Sequence, residues 1–198
     1  MAPLFVMAEN LLQRQMQFQA SGHTWATKRI LQAARELPSE VYHGESRLFF
    51  RSIHGTLCHL LGAERLWMAR LTGGDWPAAA ELYDETQAPT HVSHTADKWE
   101  ALEPSLSSLA DAMEAQCASW ERLASEWDDA ALISAVRYRS TEGAETACVR
   151  VAGLTQVFAH AAHHRGQVSA ALSAMRRLAP ALDLQCQGAG FFGWAPAS

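Results

Sequence analysis

No apolar run in this chain approaches the ~18 residues that a membrane-spanning helix needs, and no internal repeat or low-complexity segment interrupts it. The start, MAPLFVMAEN, has neither the basic region nor the long apolar region of a signal peptide. Cysteine is sparse: Cys58, Cys117, Cys148 and Cys186 lie far apart, with no CxxC pair. That fits reduced thiols filling a core better than a disulfide framework. Positive charge is not in excess either. Sixteen basic against 21 acidic residues leave a net charge of −5, which gives no global attraction to nucleic acid. No HExxH or comparable base-bearing motif is present. Together these absences lead us to expect a cytoplasmic protein with no membrane and no nucleic-acid partner.

What is present is apolar surface with a helical period. The 198 residues, 48% of them hydrophobic, are enough for one domain with a substantial core, so residues 1–198 are read as a single unit. Leu4 to Leu37 reads as a first long helix. Leu11, Phe18 and Trp25 recur on it every seven residues, Gly22 weakens its middle, and Pro38 marks its end. Ser52 to Leu71 is a second helix, closed by Thr72-Gly73-Gly74. A long excursion over residues 73–94 follows and can form part of a pocket wall. The third helix has the clearest stripe, from Trp99 through Leu102, Leu106, Leu109, Met113, Cys117, Trp120 and Leu123 to Trp127. Pro104 either kinks its start or cuts off a separate short helix. Val136–Arg139 and Thr146–Val151 alternate around a turn and read as a β-hairpin. A fourth helix spans about Val151 to Leu178, before a tail rich in proline, glycine and aromatics. The fold expected is mainly all-α: a four-helix bundle with one long crossover and a short hairpin before the last helix.

The segment HAAHHRGQ, from His160 to Gln167, carries the chemistry. At about 100° per residue, His164 lies about 40° from His160 and one turn on. Val157 and Val168 flank both on the core side. Two inward imidazoles need a shared reason, because an unpartnered buried polar group is costly. A divalent metal supplies one; two separately hydrogen-bonded core histidines are the other. His163 lies about 60° to the other side and can replace His164, although the i,i+4 pair is the commoner clamp. For a third ligand the second helix offers His54 and His59. Leu57, Leu60 and Trp67 cluster on the side of His59, which selects it. Gln167 falls near the face of His160, where it can position a metal-bound water or hydrogen-bond a substrate, or be an ordinary polar residue beside a wet cavity. Arg165 points elsewhere and reads as a partner for a carboxylate or a helix contact. Gly166 reads as a place where another helix comes close. Glu64 and Arg65 read as solvent-facing charges, and His23, His43, His91 and His94 as isolated, solvated residues.

These segments resemble the DinB/YfiT-like family. The resemblance rests on GHTWATKRIL in the first helix, FFRSIHGTLCHLLGAERLWMARLTG in the second, FAHAAHHRGQVSAAL in the fourth and ALDL beyond it. It implies a four-helix bundle holding a divalent metal, usually nickel or zinc, on three histidines, which match His59, His160 and His164. It implies a homodimer as well. Family members often carry a Tyr-Asn pair where this chain has Gly22 and His23. Some similar proteins are transferases or isomerases that use low-molecular-weight thiols. The reading is therefore a metal-binding protein, either a thiol S-transferase or hydrolase with Arg70 and Arg51 as sources of a basic pocket, or a non-catalytic stress-response protein.

Overall fold

The computed structural model describes residues 10–83 and 92–184. In chain order these form α1 (Leu11–Arg35), α2 (Ser39–Tyr42), α3 (Ile53–Thr72), α4 (Ala79–Leu82), α5 (Ala96–Glu100), α6 (Leu106–Glu126), α7 (Asp129–Ile133), β1 (Ala135–Arg139), β2 (Glu145–Val149) and α8 (Arg150–Ala174). The expected first turns of the first helix, His91, Cys186 and the end of the tail lie outside the described residues. Among the described residues no helix is long and apolar enough to cross a membrane.

The long helices α1, α3, α6 and α8 make the expected bundle, with α1 and α3 each packed on both α6 and α8. Local chemistry fixes their ends. The Ser52 hydroxyl accepts the Gly55 N–H at 2.9 Å and opens α3. Gly73, at φ 78°, closes it in the left-handed conformation that glycine adopts without strain. Pro104 does cut off a separate helix: α5 stands alone, and a Ser105–Ser108 capping box starts α6. The hairpin forms in the register Ala135↔Val149 to Arg139↔Glu145.

Two large apolar clusters fill the bundle, beside a small third one of Phe50, Leu82 and Trp99. Leu57 and Leu61 meet Leu109 and Met113 in one, together with Ile30 and Leu172. Leu71 meets Trp120 and Leu123 in the other, together with Met16 and Leu154. The early parts of α3 and α6 thus lie at one end of the bundle and their late parts at the other, so these two neighbours run parallel. A parallel pair needs a long crossover, and the excursion after Thr72 provides it. By the same pairing α8 runs antiparallel to α3.

Between the clusters lies a polar layer that the sequence reading did not place. Glu64 and His23, read as solvent-facing, are 3% and 2% exposed, and Arg165 is 5% exposed. Glu64 Oε2 accepts the Trp120 indole N–H at 3.0 Å and lies 3.4 Å from His23 Nε2. On its other side His23 Nδ1 meets Arg165 Nη1 at 3.0 Å. The seam of α1 is accordingly Met16, Ala20, His23, Thr27, Ile30 and Ala34, at alternating four- and three-residue steps. The Leu11–Phe18–Trp25 stripe is not that seam: Leu11 is 56% exposed. Arg65, also read as solvent-facing, is half-buried and pairs with Glu103 at 2.9 Å. Gly166 is exposed, and among the described residues no other element comes within 4 Å of where its Cβ would be.

Removing one member of a buried charged set leaves the others uncompensated, which costs about 3–5 kcal/mol. Glu64→Ala should lower unfolding free energy by about that amount, measured by urea denaturation. Glu64→Gln keeps an acceptor for Trp120 and should lie between the two. A Glu64→Ala protein as stable as the parent would refute the account of the layer.

Candidate metal centre

Helix α3 is buried on nearly every side over its first three turns, from Ile53 through Glu64. Both of its first two histidines are therefore inside. His54, 2% exposed, bonds Tyr42 Oη at 3.0 Å and the Glu100 carbonyl at 3.1 Å through its two ring nitrogens. Its hydrogen-bonding capacity is used up there. His59 faces α8, where His160 and His164 lie one turn apart with their rings edge to face.

The three imidazoles converge. His59 Nε2 lies 3.3 Å from His160 Nε2, and His164 Nε2 lies 3.0 Å from the same atom. Their ligand atoms all fall within 4.8 Å of one another, a grouping that can hold a metal ion. His59 and His164 are 5% and 7% exposed, and His160 is half-buried. His163 points outward and is exposed, so the structure brings together the i,i+4 pair and leaves the i,i+3 partner aside.

Gln167, for which sequence left two roles open, has a third. Its Oε1 lies 2.8 Å from His164 Nδ1, so Nδ1 carries the proton and Nε2 presents a lone pair to the cluster. Neutral imidazoles cannot satisfy this arrangement alone. A proton on His160 Nε2 can point at only one of its two neighbours, and without that proton the His160 and His164 lone pairs face each other at 3.0 Å. His59 Nδ1 is buried without a partner. A cation at the convergence point resolves the conflict, so the donor set fits a divalent ion with nitrogen preference.

Aromatic side chains dry the site. Phe50 stacks on His59 with ring centroids 3.8 Å apart and planes 15° apart, and Trp99 meets the same ring edge-on at 4.6 Å. Trp99 can come this close because α3 carries a glycine beneath it: a Cβ on Gly62 would lie 2.5 Å from the Trp99 ring. Sequence reading missed this cover. Phe50 precedes the second helix as the sequence delimits it, at Ser52, and Trp99 read as one more rung of a core stripe. Arg51, expected as a pocket base, is instead engaged with Asp97 and Glu100. Ser52 Oγ reaches Glu100 as well, at 2.5 Å, which fixes α5 and Trp99 against the start of α3.

The electrostatics follow from this dryness. Burial holds His59 well below the usual histidine pKa, assisted by His164 and His160. Burial lowers His160 too, and the Glu64 charge pulls it partly back. His164 is held down to about 4 by burial first and His160 second. All three are therefore neutral near pH 7, the form in which imidazole ligates.

The sequence model of the DinB family matches residues 13–187, and the chain belongs to that family. No curated protein matches the chain.

The lowered histidine values make a signed prediction. Below the unfolded value of about 6.5 the unfolded chain takes up protons that the native cluster refuses, so stability falls with falling pH. Chelator-treated protein should keep its full stability above that value and lose it progressively down to about pH 4, where His164 titrates. His164→Leu should flatten that slope in denaturation curves recorded across the range. An unchanged slope would contradict the assignment.

Proposed function

We propose that this member of the DinB family binds one divalent metal ion, zinc or nickel, through Nε2 of His59, His160 and His164, and works as a metal-dependent thiol S-transferase or hydrolase in the cytoplasm. The observation that carries the reading is the convergence of three neutral imidazole nitrogens whose mutual contacts cannot all be hydrogen bonds.

Three protein nitrogens leave positions open on a divalent ion, and such an ion acidifies a water or thiol that reaches it into a nucleophile at neutral pH. The rest belongs to the chain. Gln167 fixes the tautomer and ring angle of His164 through Nδ1. Phe50 and Trp99 exclude water from the His59 side and make nearby charges interact more strongly. His160 is the least buried of the three, so its side is the one from which a substrate approaches. The reading includes a homodimer. Leu11 and Ile133, on two helices that pack together, are 56% and 60% exposed, apolar surface that pairing would cover.

Metal analysis of purified protein should give one divalent ion per chain, removed by chelator and restored by zinc or nickel. His160→Ala should abolish binding and the accompanying rise in melting temperature while leaving a cooperative helical transition; His163→Ala should keep both. Gln167→Ala should weaken metal affinity by roughly 10- to 100-fold. Metal retained by His160→Ala or lost by His163→Ala would show that the ligand set is wrong. Stoichiometric metal with no turnover across a panel of thiols and electrophiles would favour the non-catalytic stress-response alternative. Light scattering at micromolar concentration checks the dimer, and a monomer there removes it from the reading.

A further inference from the structure

Arg70, in the last turn of α3, is held between two rings. Its guanidinium carbon lies 5.2 Å from the Trp67 centroid and 4.8 Å from that of Tyr138 on β1. Stacking of this kind engages the faces of the guanidinium, whereas its five N–H groups lie in the plane and need acceptors at the edge. The chain supplies few. Nε is buried without a partner, and among the described residues no carboxylate forms an ion pair with Arg70, Arg137 or Arg139. A guanidinium that is positioned and short of acceptors is preorganised for a planar, two-oxygen anion.

The surroundings have the right charge and shape. Arg70 lines a cavity of about 300 Å³ whose border includes Gly73, Asp75, Trp76, Arg137 and Arg139. Three arginines against one aspartate line it on a chain whose net charge is −5; Glu142, fully exposed in the hairpin turn, lies within electrostatic reach of Arg70 but forms no ion pair with it. Asp75 is occupied locally, its Oδ1 accepting the Trp76 N–H at 2.8 Å. Trp76 and Tyr138 add aromatic surface for an apolar or planar portion of a ligand.

Tyr83 stands between this cavity and the histidine cluster. Burial pushes the Tyr83 hydroxyl up to about 12, and the Arg70 charge is the influence that pulls it back down, so the two groups lie within electrostatic reach. The Tyr83 ring is in turn 6.0 Å from that of His59. His59 and Arg70 are eleven residues apart on one helix, about 16 Å along its axis. A bare ion touches one end only; an extended molecule touches both.

We propose that the cavity at the C-terminal end of α3 binds the anionic group, carboxylate or phosphate, of an extended small molecule, with Arg70 as its main partner and Arg137 and Arg139 at its rim, and that the rest of the molecule runs past Tyr83 toward the three histidines. The second half rests on the reading of the histidines as the reactive centre; the first half stands without it.

Calorimetric titration of the full chain at low ionic strength, chelator-treated and metal-loaded, with inorganic phosphate and with glutarate tests the first half; 11-mercaptoundecanoate, long enough to reach both ends, tests the second, since metal loading should tighten its binding to the wild type and an unchanged affinity would overturn that half. The wild-type protein should bind at least one probe saturably, and the tighter of the two identifies the source of the anion. Arg70→Gln should weaken that binding by about tenfold or more. Arg70→Lys, which keeps the charge but not the fork, should fail to restore glutarate binding. His160→Ala should leave probe binding intact while losing metal, which separates failure of this site from failure of the metal reading. If Arg70→Gln disturbs folding by circular dichroism, the Arg137→Gln, Arg139→Gln double variant, on the exposed strand, should show a smaller loss. No saturable binding to the wild type in the low-millimolar range, or unchanged binding in Arg70→Gln or in the double variant, overturns the proposal.

Discussion

A carboxylate buried in the middle of a helical bundle is the constraint on which the rest of this structure depends. Glu64 sits between two apolar clusters and is tolerable there only because α1 supplies His23, α6 supplies the Trp120 indole and α8 supplies the Arg165 charge. Each partner comes from a different helix, so the layer fixes the axial position of all four at once. Apolar residues alone do this weakly, since one leucine packs about as well against the next turn as against its own. A shift of one turn would here leave a charge unpaired in a dry interior. The alignment that results sets His59 on α3 opposite the His160–His164 pair on α8, with His59 and His160 3.3 Å apart across the helix interface.

The same layer explains which parts of the fold were legible. The third-helix stripe, the hairpin and the inward HxxxH pair announce themselves through apolar periodicity and turn residues, and the structure has all three. The first helix misled because its true seam includes His23 and Thr27. Polar residues that satisfy one another across helices look, in a single sequence, like residues that face water. Glu64 misled for the same reason, although its neighbours held a signal. Ala63 and Leu66 flank it, and the helix before it is apolar nearly all round, which leaves no solvent side for a charge to occupy. Gln167 was legible as a residue near the site but not as the orienting partner of His164. That role depends on a side-chain angle that spacing does not encode.

The histidine cluster draws its dryness from outside the four long helices. Phe50 belongs to the connection before α3, and Trp99 to the short helix cut off by Pro104. Both are held by a small polar knot in which Arg51 and Ser52 converge on Glu100, while the Ser93 N–H reaches the Phe49 carbonyl at 2.7 Å. Arg51 adopts the left-handed conformation, φ 69°, which is uncommon for a residue other than glycine. The bundle thus supplies the clustered nitrogens, and the segments before and after α3 supply their cover. The two can vary separately: substitutions in those segments would alter access and polarity without moving the imidazoles.

The order in which a ribosome delivers this chain gives the polar layer a temporal meaning. Synthesis proceeds from the N-terminus, so α1, α3 and α6 leave the exit tunnel well before α8. Until Arg165 arrives, Glu64 has no compensating charge, and the interior that the first three helices would form cannot close dry around it. When α8 docks it brings the missing charge and two of the three clustered imidazoles in the same step. Completion of the core and assembly of the histidine cluster are therefore one event, and a chain interrupted before its last quarter has neither.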